Sequence, residues 1–196
     1  MRTRPEWLSR ANQQFLSDVR EDPYLGYVLL GALAEAVPEK VTAAGTGQLL
    51  SHRFSGSEDS EQWIYGEVGA GGSGARISKD GIDCIDTDIT NCMNTPVEAT
   101  ELSAPIRVRR YDLWQDSGGS GRQRGGLGYR KQFEMLTDDV TFTHRRDRHD
   151  FHPWGMQGGC PAPKCKTLIR RSTGEVESLP SQVTVHLDAG DVVDVH

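Results

Sequence analysis

Long apolar runs, an excess of positive charge and a dense cysteine pattern are all missing from this sequence. No stretch approaches the roughly 20 apolar residues that span a bilayer, and the opening "MRTRPEWLSRANQQF" has no signal-peptide hydrophobic region. A cytoplasmic chain without membrane association is expected. Four cysteines, Cys84, Cys92, Cys160 and Cys165, are too few for a disulfide scaffold, so free thiols are the expectation. The formal net charge of −6 argues against a general nucleic-acid binder, because neutralising phosphates takes a basic surface. There is no internal repeat and no low-complexity tail.

What is present fits one ordinary domain. The 196 residues can bury a real core. Helical character is confined to the first third: "WLSRANQQFLSDVRE" is a charged amphipathic segment, and Asp22-Pro23 interrupts it. Leu25, Val28, Leu29, Ala32, Leu33, Ala36 and Val37 then recur at steps of three and four, one apolar helix face ending before Pro38. The next segment is small and polar, with "QLLSHRFSG" as a strand and the Ser/Glu/Asp patch after it as a solvated loop. From Gln62 onward, β-branched and aromatic runs alternate between glycines and prolines: "QWIYGEV", "IRVRRYDLW", "GYRKQFEML", "VTFTHRR", "KTLIRR" and "QVTVHLDAGDVVDV". The reading is α+β: a helical segment over 1–40, then a mainly antiparallel β-rich unit with Gly-rich loops over 41–196, the two together forming one domain.

Two glycine clusters carry the first candidate chemistry. In "GAGGSGARISKDG", Gly71, Gly72 and Gly74 let backbone come close to a ligand or another chain, and Arg76 supplies a charged fork. No Gly-Lys-Ser/Thr follows, so this is not a Walker loop, and no helical pattern follows to complete a dinucleotide fingerprint. In "DSGGSGRQRGGLG", Asp116 and Ser117 can close a turn through side-chain bonds to backbone. Gly118, Gly119, Gly125 and Gly126 permit close approach there. Arg122 and Arg124 lie two apart, on one side of an extended segment, and could hold a carboxylate or phosphate. A tight architectural turn and acidic partners on a neighbouring subunit remain open for both clusters.

Two further regions invite a site. "THRRDRHDFHPWGMQGGCPAPKC" gathers His144, His149, His152, Cys160 and Cys165, but its spacings complete no tetrahedral set, so no metal site is assigned. Its arginines and His149 are expected on a polar surface, with Phe151, Pro153 and Trp154 against the sheet. "DTDITNCMNTPVEATE" brings Asp86, Asp88, Asn91, Asn94 and Glu98 close in sequence, and Asn94 and Glu98 are candidates for substrate or interface contacts. On composition, a turn at Asn94-Thr95-Pro96 with Glu98 in a loop is the simpler alternative. Cys92 has no neighbouring histidine in sequence, and no residue is assigned as catalytic.

In colinear order, "LLGALAEAVPEKVTAAGTG", "GAGGSGAR...DG", "TNCMNTPVEATE", "IRVRRYDLWQDSGGSGRQRGGLG", "PWGMQGG" and "LPSQVTVHLDAGDVVDV" resemble the hydantoinase B, 5-oxoprolinase and acetone carboxylase α-subunit family, from about Tyr24 onward. The resemblance implies a two-component ATP-dependent enzyme. An A-type (HyuA-like) subunit phosphorylates a carbonyl or amide oxygen using ATP and Mg, and the B-type unit acts on the phosphorylated species. The outcome is hydrolysis of a cyclic amide or imide in hydantoinases and oxoprolinases, or carboxylation in the acetone and acetophenone carboxylases.

The likeness is to the C-terminal portion of a B-type (HyuB-like) subunit. It implies that the divalent metal belongs to an N-terminal part not found here, and the sequence stops before the "GGGGYG"-type tail. Ser73 stands where the family commonly has a bulkier residue, and Asp88 where a histidine is frequent. The expectation is a split subunit, not catalytic alone, that joins a separate chain supplying the N-terminal part, the ATP-binding subunit and a small-molecule substrate. A non-catalytic structural subunit of such a complex is the remaining alternative.

Overall fold

Alternation of side chains decides where the strands of this protein lie. The computed structural model describes residues 23–47, 50–58, 60–85 and 92–196. These form an α+β fold of two helices and nine strands. Helix α1 spans Pro23–Ala36, β1 Leu50–Glu58, β2 Glu61–Gly69, helix α2 Val97–Ser103, β3 Ile106–Leu113, β4 Tyr129–Met135, β5 Val140–Arg145, β6 Thr167–Arg170, β7 Val176–Ser178, β8 Gln182–Leu187 and β9 Val192–Val195. The segment "WLSRANQQFLSDVRE" lies outside the described residues, as do Asp86, Asp88 and Asn91.

The strands make two antiparallel sheets, one in the order β2-β1-β5-β8 and the other β3-β4-β9-β6-β7. Along β4, Tyr129, Lys131, Phe133 and Met135 are buried while the residues between them are not, and β5 repeats the pattern with Val140, Phe142 and His144. Period-two burial of this kind turns one face of each sheet toward a common core. Phe54 of β1 stands 4.7 Å from Phe142 of its own sheet and 5.2 Å from Phe133 of the other, ring centre to ring centre. Ile106, Ile169, Leu187, Val193 and Val195 complete the core.

The structure departs from the sequence reading at several places, among them helix α2, which lies beyond the first third of the chain. The Ser/Glu/Asp patch is not a loop: Phe54 to Glu58 stay in β1 and pair with Glu61 to Tyr65 in a hairpin, because the backbone ladder needs only partners and not apolar side chains. The run "QVTVHLDAGDVVDV" is two strands in different sheets, β8 beside β5 and β9 between β4 and β6. The crossing is made at Gly190, with φ of 87°, and held by Asp191, whose carboxylate accepts from the N–H groups of Ser172 and Asp188 and pairs with Arg171 at 2.9 Å. Finally, the apolar face of α1 is not covered among the described residues, with Val28, Leu29 and Leu33 all exposed. No helix among the described residues is long and apolar enough to cross a membrane.

Two charged groups inside the core are surrounded by partners. Lys131 is 1% exposed; its ammonium lies 2.7 Å from the Glu67 carboxylate, and Tyr65 donates to the same carboxylate. Asp194 is fully buried on β9 and accepts from Arg130, Gln132 and Arg170, with His196 Nε2 at 3.1 Å. Such partners offset the desolvation of a buried charge.

Candidate functional site

The glycine clusters meet. Residues 70–85, 117–128 and 153–163, with 41–46 beneath them, are laced by backbone hydrogen bonds: Thr46 N–H to Gly72, Gly81 N–H to Arg124, Gly126 N–H to Ser73, Cys84 N–H to Leu127, Cys160 N–H to Ser120 and Ala44 N–H to Trp154. Glycine is required where two segments cross. A Cβ on Gly72 would strike the Gly126 carbonyl, and one on Gly126 would strike that of Ile82. The crowding is therefore of backbone against backbone.

The second half of "DSGGSGRQRGGLG" is built as architecture. A phosphate cradle needs unspent N–H groups converging on one point. Here every N–H from Arg124 to Gly128 is spent inside the protein: on Asp80, on the Gly119 carbonyl, on the Ser73 carbonyl, on Asp83 and on the Ser117 hydroxyl, all at 2.8–2.9 Å. Ser117 also donates to the Trp114 carbonyl at 2.6 Å, which closes the turn beside Asp116, whose φ is 60°.

The two arginines of the loop part company, because the segment is bent rather than extended. Arg124 turns to Asp83 at 2.9 Å and caps the Gly125 carbonyl. The hydrogen bond from Arg124, joined by the Leu127 N–H, holds the Asp83 carboxyl below the usual range. Arg124 is thus a staple between the two glycine segments. Arg122 is exposed and lines a cavity of about 340 Å³ enclosed by the laced segments.

That cavity gathers Gly71, Gly72, Arg76, Gly119, Arg122, Gly125 and Gly126 from the sequence candidates. Gly74, Gly118 and Arg124 support its walls without lining it, and Asn94 and Glu98 are exposed elsewhere, Glu98 in the first turn of α2 rather than a loop. Neither Arg76 nor Arg122 has a carboxylate partner among the described residues. Trp114, Trp154, Pro153, Met156 and Cys160 give the cavity its apolar and soft surface, and among the described residues no Asp or Glu lines it. Cys84 and Cys160 are free thiols.

The third region divides differently from its expected polar surface. Phe151 is 77% exposed and packs on nothing, while Pro153 is buried and Trp154 faces the cavity. His144 and Arg146 go inward instead. His144 stacks on His52 with parallel rings 5.4 Å apart, and His149 meets it edge-on at 5.6 Å. Burial lowers the pKa of all three, to about 3 for His144, and the positive field of Arg146 adds to the effect. They are neutral rings at pH 7. Among the described residues no group of three or more His, Cys, Asp or Glu side chains is placed to hold a metal ion.

Sequence reasoning missed Arg146 and Tyr129 as cavity residues, and Asp83 as the anchor of the loop. The signal for Arg146 was present: the alternation that buries Val140, Phe142 and His144 carries it to the same side.

Known proteins share both the sequence and the fold. The family model described as Hydantoinase B/oxoprolinase matches residues 24–196. A protein of Pseudomonas sp. (strain NS671) named as the B component of a D-/L-hydantoinase is 35% identical over 169 residues, covering 85% of this chain and 28% of the relative. The beta chain of the caprolactamase of Pseudomonas jessenii is 32% identical over 153 residues, 71% of this chain and 26% of that protein. Among solved structures, an ATP-dependent caprolactamase from Pseudomonas jessenii superposes with a TM-score of 0.64 at 21% identity, over 84% of this chain and 30% of that one. A nucleotide-free acetone carboxylase also gives 0.64, at 17% identity, over 83% and 26%. The chain thus spans less than a third of the length of these relatives.

Proposed function

Since the chain belongs to the hydantoinase B/oxoprolinase family, we propose that it is one component of an ATP-dependent, multi-subunit amide hydrolase that opens a cyclic amide or imide. The carrying observation is the cavity: it joins the two glycine segments, bears unpaired Arg76 and Arg122, and is lined by no acid among the described residues. Such a lining suits an anionic ligand, and an amide activated by phosphorylation is one. Hydrolysis is preferred to carboxylation because the relatives at 35% and 32% identity are named for a hydantoinase and a caprolactamase, whereas acetone carboxylase is similar in fold.

The N–H groups from Arg124 to Gly128 are already spent, so that half of the loop offers no nest for a polyphosphate. By likeness to the family, ATP and Mg are assigned to an A-type partner subunit, and any divalent metal to a chain that supplies the rest of the B-type fold. The work of this chain is to receive and orient the activated substrate: Arg76 and Arg122 face its anionic group, and the laced backbone fixes the wall.

Co-expression with the A-type subunit and the remaining B-type part tests the reading. Purified complex should hydrolyse a hydantoin, 5-oxoproline or a lactam only with ATP present, and this chain alone should give no turnover. Arg76→Ala and Arg122→Ala should each lower kcat/KM by about tenfold, near 1.4 kcal/mol, with the complex intact. Bicarbonate-dependent consumption of a ketone in the same complex would replace the hydrolase reading with a carboxylase. Unchanged activity with weakened assembly would make the arginines scaffold contacts.

A further inference from the structure

Arg146 is the strongest unexplained charge in the molecule. Its residue is 3% exposed, no carboxylate pairs with it among the described residues, and its Nε has no hydrogen-bond partner. Among the described residues one hydrogen bond serves its guanidinium, a long 3.5 Å contact from Nη1 to the Lys166 carbonyl. A guanidinium cannot shed its proton to escape burial. An uncompensated buried charge costs several kcal/mol, and proteins pair it.

A second unpartnered donor stands in the same wall. Tyr129, the first residue of β4, is 3% exposed, and its hydroxyl makes no hydrogen bond. Arg146 and Tyr129 both line the cavity between the glycine segments. The rings nearest Arg146 are His52, His144 and His149, all neutral, and the buried acid Glu67 is already committed to Lys131 and Tyr65. Donors are thus in surplus there, and no acceptor of charge within the described chain answers them.

We propose that Arg146 and Tyr129 form a buried oxyanion subsite in this cavity, which takes a carboxylate or phosphate group of a small ligand. A planar fork with a phenol beside it matches the two or three oxygens of such a group. Arg76 and Arg122 at exposed positions would draw the anion in, and Arg146 and Tyr129 would hold it. For its natural ligand the subsite rests on the proposed function, while binding of a simple oxyanion stands without it.

The test uses the 196-residue chain by itself, titrated with inorganic phosphate and, separately, with acetate, at ionic strength held constant with chloride. Trp114 and Trp154 line the cavity, so tryptophan fluorescence reports occupancy, and the melting temperature gives a second readout. Saturable binding of one anion is expected, phosphate for a phosphoryl subsite or acetate for a carboxylate one. The Kd should rise at least tenfold in Arg146→Met and about tenfold in Arg146→Lys, which keeps the charge and loses the fork. It should rise several-fold in Tyr129→Phe and not at all in the surface control Arg110→Ala. In anion-free buffer Arg146→Met should melt at or above the parent, since an unpaired buried charge has been removed; a structural arginine would give the opposite. No saturable binding of either anion to the parent chain, or undiminished binding by Arg146→Met and Arg146→Lys, overturns the subsite. ATP-dependent turnover by the complex would survive that result, so the two proposals fail separately.

Discussion

Asp194 and His144 show how one buried titratable residue ties stability to pH. Asp194 is desolvated on β9, which alone would raise its pKa, but hydrogen bonds from His196, Arg130 and Gln132 win and hold it far below the usual carboxylate range. With the folded pKa depressed, its contribution is present above the unfolded carboxylate value and is lost as pH falls below it. Asp194→Asn should cost about 3–5 kcal/mol at pH 7, because Arg130 and Arg170 lose their counterion, and urea unfolding would show the deficit shrinking in acid. His144 obeys the same sign for the opposite reason: burial disfavours its charged form and lowers the pKa from 6.5 to about 3, with Arg146 and His149 adding repulsion. Its neutral form is favoured in the fold above 6.5, and that advantage drains as pH falls toward 3, at up to about 1.4 kcal/mol per pH unit. The parent should therefore unfold more easily through that window, with His52 and His149 contributing beside it, and His144→Phe should flatten the slope; equal slopes would contradict a buried neutral ring. Such residues are hard to read in a sequence, where His144 is one more member of a charged run. Only the period-two pattern of β5 marks it as inward.

At the scale of elements, the glycine segments were legible as conformationally demanding, and their purpose was not. Composition could not tell backbone approaching a ligand from backbone approaching backbone. At Gly72 and Gly126 the structure shows the second, since both sit where one segment crosses another. Gly126→Ala should destabilise by about 1–3 kcal/mol, and it should alter tryptophan fluorescence at Trp114 or Trp154, because a Cβ there pushes the two segments apart. Asp83→Ala should cost a similar amount by leaving the Leu127 N–H and Arg124 without their acceptor. The ion pair itself is half exposed and worth well under that, about 0.2–1 kcal/mol, so Asp83→Asn should be the milder change in a chemical-denaturation comparison. Strands fared better than loops, because alternation of β-branched and aromatic residues is a local signal. The division of "QVTVHLDAGDVVDV" between two sheets is not local: it depends on which strands β8 and β9 find as neighbours.

Over the whole molecule, one aromatic core couples the two sheets. Phe133 of β4 lies against both His52 and Phe54 of β1, so Phe133→Ala should lower stability by about 3–5 kcal/mol and should do so in a single transition seen alike by fluorescence and circular dichroism. Separate transitions for the two signals would mean that the sheets fold independently. Val28, Leu29 and Leu33 of α1 are exposed among the described residues, and the chain spans less than a third of the length of its relatives. By itself the sequence determined the α+β class, the family and most strand positions, because these rest on local periodicity and on motifs in colinear order. Tertiary structure alone decided that the two glycine segments lace into one wall, that Arg124 is bound to Asp83 while Arg122 faces the cavity, and that buried Arg146 and the Tyr129 phenol line that same cavity. The physical reason is that a charge's partner, or its lack of one, is set by residues tens of positions away in the chain, and only folding brings them within the few ångströms over which such a pairing acts.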